Sequence, residues 1–124
     1  MRAGQYDLYI ERGADFIREV VFYKATGTPI NLTGAKIEMQ IRENAQSSHV
    51  ICTPNIYFSD ASAGKAIIHI NHTETANMPA YGSNYSNITN CVYDVYVEYP
   101  SMPVRRNRVL NGFVMISPEV TKWV

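Results

Sequence analysis

The sequence predicts an all-β fold, a single antiparallel β-sandwich with one short helical turn. Three observations predict it. Lys36–Arg42 alternates strictly, with Ile37, Met39 and Ile41 on one side and Lys36, Glu38, Gln40 and Arg42 on the other. Such alternation is the mark of a half-buried strand, because strand side chains point to opposite faces with period two. Turn residues recur between short apolar runs, around Gly13, Gly27, Gly34 and Gly64, and that spacing suits a sandwich. The closing stretch, Arg108 to Thr121, places Leu110, Gly112, Val114 and Ile116 on one face and Val109, Phe113 and Met115 on the other. An apolar pattern on both faces predicts a strand covered on both sides.

The elements follow in order. Tyr6, Leu8 and Ile10 alternate with Asp7, Tyr9 and Glu11, a first half-buried strand ended by Gly13. Asp15 to Tyr23 is a second strand. Its two faces, Phe16/Val20/Phe22 and Ile17/Val21/Tyr23, are both apolar apart from one charge each, at Arg18 and Glu19, so pattern alone leaves the core face open. Lys24 to Pro29 turns at Gly27, and Leu32 tucks inward at a second corner. Val50–Thr53 and Ile56–Phe58 are short strands around Pro54, and Lys65–Ile70 buries Ala66, Ile68 and Ile70.

Asn71 then starts the helical turn as N-cap, with Glu74 three residues later as in a capping box. Pro79 ends it, and Met78 plugs one end of the core. Ala80 to Asn90 is a loop of Tyr, Gly, Ser, Asn and Thr. Cys91 to Tyr99 is a long strand with Tyr93, Val95, Val97 and Tyr99 on one face. Pro100 to Asn107 makes a wide hairpin into the closing strand.

The 124 residues fit one domain, 1–124, without repeat or linker. Eleven basic residues balance eleven acidic ones, which gives no field to draw in nucleic acid or an acidic membrane surface. No stretch reads as a signal peptide or a membrane span. Cys52 and Cys91 are expected reduced and buried, and the sequons at Asn31, Asn71, Asn84 and Asn87 are expected to stay unmodified.

Nothing in the sequence points to catalysis or to a cofactor. His69 and His72, with Glu74 near, are split between a strand and a helical turn, a poor metal geometry. Glu38, Asp94 and Glu98 lie on outward faces, where a solvated sheet surface is the plainer reading than an acid–base pair. Arg105, Arg106 and Arg108 lack the interleaved aromatics of a nucleic-acid surface and suit a carboxylate or solubility. Tyr81 and Tyr85, among Gly82, Ser83, Asn84, Ser86 and Asn87, have the composition of a binding loop.

Four segments carry a resemblance. They are Tyr6 to Phe16; Gly27 to Gly34 with Met39-Gln40-Ile41-Arg42; Ile70 to Met78; and Val92-Tyr93-Asp94 with Gly112 to Thr121, above all Ser117-Pro118-Glu119-Val120-Thr121. In order and spacing the chain resembles a family of small tailed-bacteriophage and prophage proteins. Their β-sandwich is similar to the N-terminal domain of BppU-type baseplate proteins.

The resemblance implies a virion structural part of the tail, baseplate or neck, made in the host cytoplasm. It implies assembly as a homo-oligomer (a ring, trimer or hexamer) and docking to other tail or fibre proteins, without a reaction. Two departures are plain. The loop before Cys91 is longer than the family's, and the chain stops at Val124 where many relatives continue into a fibre. The second favours an adaptor or connector. Tyr81, Tyr85, Val109, Phe113 and Met115 are the expected centre of a protein–protein contact. The rival readings are a glycan-binding module using the Tyr81/Tyr85 loop, a capsid decoration protein, and a small hydrolase built on the outward carboxylates.

Overall fold

Period-two patterning in the two longest apolar stretches produces the two longest strands, and they pair with each other. The computed structural model describes residues 3–123. Among these, eight strands run in order: β1 (Gly4–Gln5), β2 (Leu8–Glu11), β3 (Phe16–Val21), β4 (Lys36–Arg42), β5 (Asn55–Asp60), β6 (Lys65–Ile70), β7 (Thr89–Tyr99) and β8 (Arg105–Ser117). A short 3-10 turn, Ala61–Ala63, precedes β6, and the one α-helical turn, α1 (His72–Ala76), follows it.

The larger sheet has the order β1/β2, β8, β7, β4, and the smaller has the order β3, β6, β5. Leu8, Ile10, Met39, Ile41, Val95, Val97, Val114 and Ile116 from the first meet Phe16, Val20, Ala66, Ile68 and Ile70 from the second in one apolar core. The fold is all-β, as predicted. One correction concerns strand direction. The expected sheet was antiparallel throughout, but β1 and β2 both run parallel to β8. Parallel pairing needs a long crossover between its strands, and here the whole chain lies between them.

Several local expectations hold. Leu32 and Met78 are buried in the core. Asn71 and Glu74 form a full capping box at the start of α1. The second strand is shorter than expected and its open question is settled: Phe16, Val20 and Phe22 face the core, while Ile17 and Tyr23 are exposed. The 50–53 stretch is no strand. It gives a single bridge, Cys52 to Ile41, which leaves β5 to start at Asn55.

Parallel β1 and β2 share one register against β8 but are interrupted at Tyr6 and Asp7. There the residue pairing lapses, although Tyr6 N–H still donates to Asn111 O at 2.9 Å. The Tyr6 carbonyl turns inward and accepts a hydrogen bond from the Tyr93 hydroxyl. The Asp7 carboxylate takes over as acceptor for the Phe113 N–H, 2.9 Å away. Burial, then the nearby Asp7, holds the Tyr93 phenol well above its ordinary pKa, so it stays a donor. Gly112 lies under this crossing, and a Cβ there would collide with the Tyr6 carbonyl oxygen. A strand glycine marks such a close backbone approach.

At the other end of the core, buried Thr75 of α1 ties down the β2–β3 turn. Its Oγ1 donates to Ala14 O at 2.9 Å and accepts from Gly13 N at 3.0 Å. Arg12 donates to Ala76 O at 2.9 Å and lies 3.7 Å from the Glu119 carboxylate. One turn of helix is too short to stand alone, and these bonds hold it.

Two substitutions test these ties. Gly112→Ala should destabilise the protein by about 1–3 kcal/mol, the usual cost of overpacking, and Gly112→Val by more, read from chemical denaturation. Thr75→Val keeps the shape but strands Gly13 N–H and Ala14 C=O, and should cost about 1–3 kcal/mol by the same measurement.

Candidate docking surfaces

A strand pair of strict alternation would give β8 one inward and one outward set. The observed register differs. Val95 pairs with Leu110 but Tyr96 pairs with Arg108, so Val109 is the extra residue of a β-bulge. The bulge resets the phase of the strand. Arg106 and Arg108 before it and Asn111, Phe113 and Met115 after it all lie opposite the outward residues of β7. Without the reset, either Leu110 would leave the core or the arginines would enter it.

The five expected contact residues therefore separate. Val109 sits at the bulge, half-buried and packed against the core, which corrects its placement beside Phe113. Phe113 is 52% exposed on the outer face of the larger sheet. Met115 is half-buried beside it on the same strand. Val92 of β7 pairs with Phe113, and Tyr9 of β2 pairs with Met115. This joins Tyr9, Val92, Phe113 and Met115 into one apolar patch. Tyr9 was not among the expected residues, although its place on the polar side of the first strand's alternation already pointed outward.

Tyr81 and Tyr85 are highly exposed, at 77% and 72%. The Tyr81 hydroxyl donates to Glu43 at 3.0 Å, and the Tyr85 carbonyl accepts from Ser117 Oγ at 2.8 Å. The loop thus reaches the end of β8 through its backbone, and Phe113 stays uncovered. Tyr81 borders a shallow groove with Arg12, Glu43, His49 and Asn77.

Arg106 and Arg108 of the outer face are paired with carboxylates of β7, Arg42 of that face donates to Ser47 O at 2.8 Å and to Gln40 Oε1 at 2.9 Å, and Arg105 lies in the inward column opposite Tyr99. Arg106 donates to Glu98 at 2.7 Å, Arg108 lies 3.8 Å from Asp94, and the Arg105 guanidinium stacks 4.8 Å from the centre of the Tyr99 ring. The Arg106 bond holds the Glu98 carboxyl below its usual range, the opposite of what a general acid requires. His72 and Glu74 also have separate tasks. His72 Nδ1 is 3.0 Å from Asp15, whereas Glu74 caps α1 and accepts from the Cys52 thiol at 3.7 Å.

The smaller sheet has an outer face that pattern reading left undecided. Ile17 pairs with His69, and Glu19 pairs with Ile67, which pairs in turn with Tyr57. Ile17 is 64% and Tyr57 44% exposed, and Ile67 and Val21 are half-buried. These four form a second apolar patch centred on Ile67. The signal for it was present in the doubly apolar pattern of the 15–23 stretch.

No family model matches the sequence, and no curated protein matches it. Among solved structures, a nucleoside hydrolase-related hypothetical protein from Saccharophagus degradans, described as associated with carbohydrate metabolism, aligns over 91% of this chain at 11% identity and a TM-score of 0.33. The alignment spans 22% of that protein. A likeness of that size carries no argument about fold or function here.

Both cysteines are free and buried. Burial, then the Glu74 carboxylate, pushes the Cys52 thiol up to about 12, and burial raises Cys91 as well. At pH 8 both stay protonated, and the thiolate is the reactive form. A thiol reagent at pH 8 should therefore find no reactive thiol in the native chain and both after unfolding, counted by absorbance of the released leaving group.

Proposed function

We propose that this chain is a non-enzymatic structural module of a phage-type particle, an adaptor in the tail, baseplate or neck. It works by packing against copies of itself and against other tail or fibre proteins. The observation that supports this most is that both outer faces of the sandwich display apolar side chains. A β-sandwich needs only its inner faces for its core, so Phe113, Met115 and Tyr9 on one side, and Ile17 and Tyr57 on the other, are surplus to folding. Contiguous exposed apolar surface of this kind marks interaction sites. The sequence resemblance supplies the setting, a virion. A capsid decoration protein would use the same surfaces at another address.

A second reading, glycan binding, is favoured by Tyr81 and Tyr85. Aromatic side chains this exposed, Tyr81 beside Glu43 and Arg12, could stack on a sugar and bond its hydroxyls. A glycan array with the isolated chain separates the two, since a binding module retains sugar on its own.

The test of the structural reading is the composition of particles. Particles from cells carrying this gene are purified and their proteins are quantified by mass spectrometry. The chain should be present at a fixed ratio to the other structural proteins. Its presence only as free protein in the lysate would overturn the proposal.

A further inference from the structure

The two apolar patches lie on opposite sides of the sandwich, and each is crossed by a row of three residues on adjacent strands. On the larger sheet the row is Arg42, Val92 and Phe113, from β4, β7 and β8. On the smaller sheet it is Glu19, Ile67 and Tyr57, from β3, β6 and β5. Each row reads charge, aliphatic, aromatic, at the common strand spacing of about 4.8 Å. The charges are opposite in sign. Glu19 makes no ion pair among the described residues.

We infer that the partner of the Phe113 face is the Ile67 face of a second copy of this chain, in a head-to-tail contact. The inference rests on the structural reading above and names its surfaces. With the rows laid over each other, Arg42 meets Glu19, Val92 meets Ile67, and Phe113 meets Tyr57. Ile17 and Val21 of one copy and Met115 and Tyr9 of the next extend the apolar centre.

The alternatives fit less well. Two Phe113 faces brought together leave both Ile67 faces uncovered. Two Ile67 faces brought together set Glu19 against a second Glu19 or against the negative face of the Tyr57 ring. Because the two surfaces differ, the contact is heterologous and repeats. It generates a ring if the rotation closes and a filament if it does not.

The experiment uses the isolated chain in sedimentation equilibrium over a range of concentrations, with thermal melting as the check on folding. Wild type should self-associate. Phe113→Ser, on one face, and Ile17→Asp, on the other, should each weaken association about tenfold or more, as loss of an interface anchor does. Both should melt near the wild-type temperature. A Tyr57→Ser variant replaces Ile17→Asp if that one melts early. The deciding arm is a mixture. Phe113→Ser keeps an intact Ile67 face and Ile17→Asp keeps an intact Phe113 face, so equal amounts should form a dimer and stop there.

A wild type that stays monomeric at the highest concentration overturns the inference. So does a single variant that associates like wild type, or a mixture no larger than its parts. The particle-composition test is independent of these. A chain that is found in particles but is monomeric alone keeps the structural role and loses this contact. A chain that self-associates as stated but is absent from particles does the reverse.

Discussion

The crossing of Tyr6 over Gly112 is the constraint on which the larger sheet depends. The first strands add in parallel to the last one, so the two ends of the described chain meet in a single ladder. A continuous parallel strand would need no crossing. Here the pairing lapses at Tyr6 and Asp7, although Tyr6 N–H still donates to Asn111 O at 2.9 Å, and two of the groups left over are met by side chains. Tyr93 satisfies the Tyr6 carbonyl and Asp7 satisfies the Phe113 N–H. Buried backbone groups without partners are expensive, and these replacements let the break persist. Gly112 makes it possible, since any side chain would occupy the space the Tyr6 carbonyl takes.

The break also links the sheets at one edge. The Arg18 guanidinium of β3 lies 5.3 Å from the Phe16 ring centre and 5.9 Å from that of Tyr6, and it donates to the Tyr6 hydroxyl. Arg18 stands in the core-facing column of its strand between Phe16 and Val20. Its aliphatic stem can cover apolar surface while its head reaches the aromatic edge. A charge that interrupts an apolar face in the pattern thus becomes a clasp between layers. It does not mark the solvent side.

A second constraint, the bulge at Val109, decides what the outer face of the larger sheet displays. One extra residue keeps Arg106 and Arg108 beside Glu98 and Asp94 on that face, and it sends Phe113 outward. Polar pairing at one end of that face and apolar exposure at the other follow from the same step. The intramolecular pairing also explains why the arginine cluster is a poor anion site, since its charge is already met by Glu98 and Asp94.

The sequence by itself determined the fold class, the inward residues of β4, β6 and β7, the capping box and the burial of Met78 and Leu32. All of these follow from interactions within a few residues: period-two alternation, turn chemistry and capping. Only the tertiary structure decided which face of Phe16–Val21 is core, because both faces are apolar and the choice belongs to the sheet it packs on. The parallel pairing of the first strands with the last was equally hidden, since register between segments so far apart leaves no local mark. The bulge was hidden for a related reason. It is defined by a mismatch between two strands, Val95–Tyr96 against Arg108–Leu110, and a single strand read alone shows only alternation. So the expected contact group of Val109, Phe113, Met115, Tyr81 and Tyr85 was legible as residue types. Its division among core, sheet face and loop was set by how the strands meet.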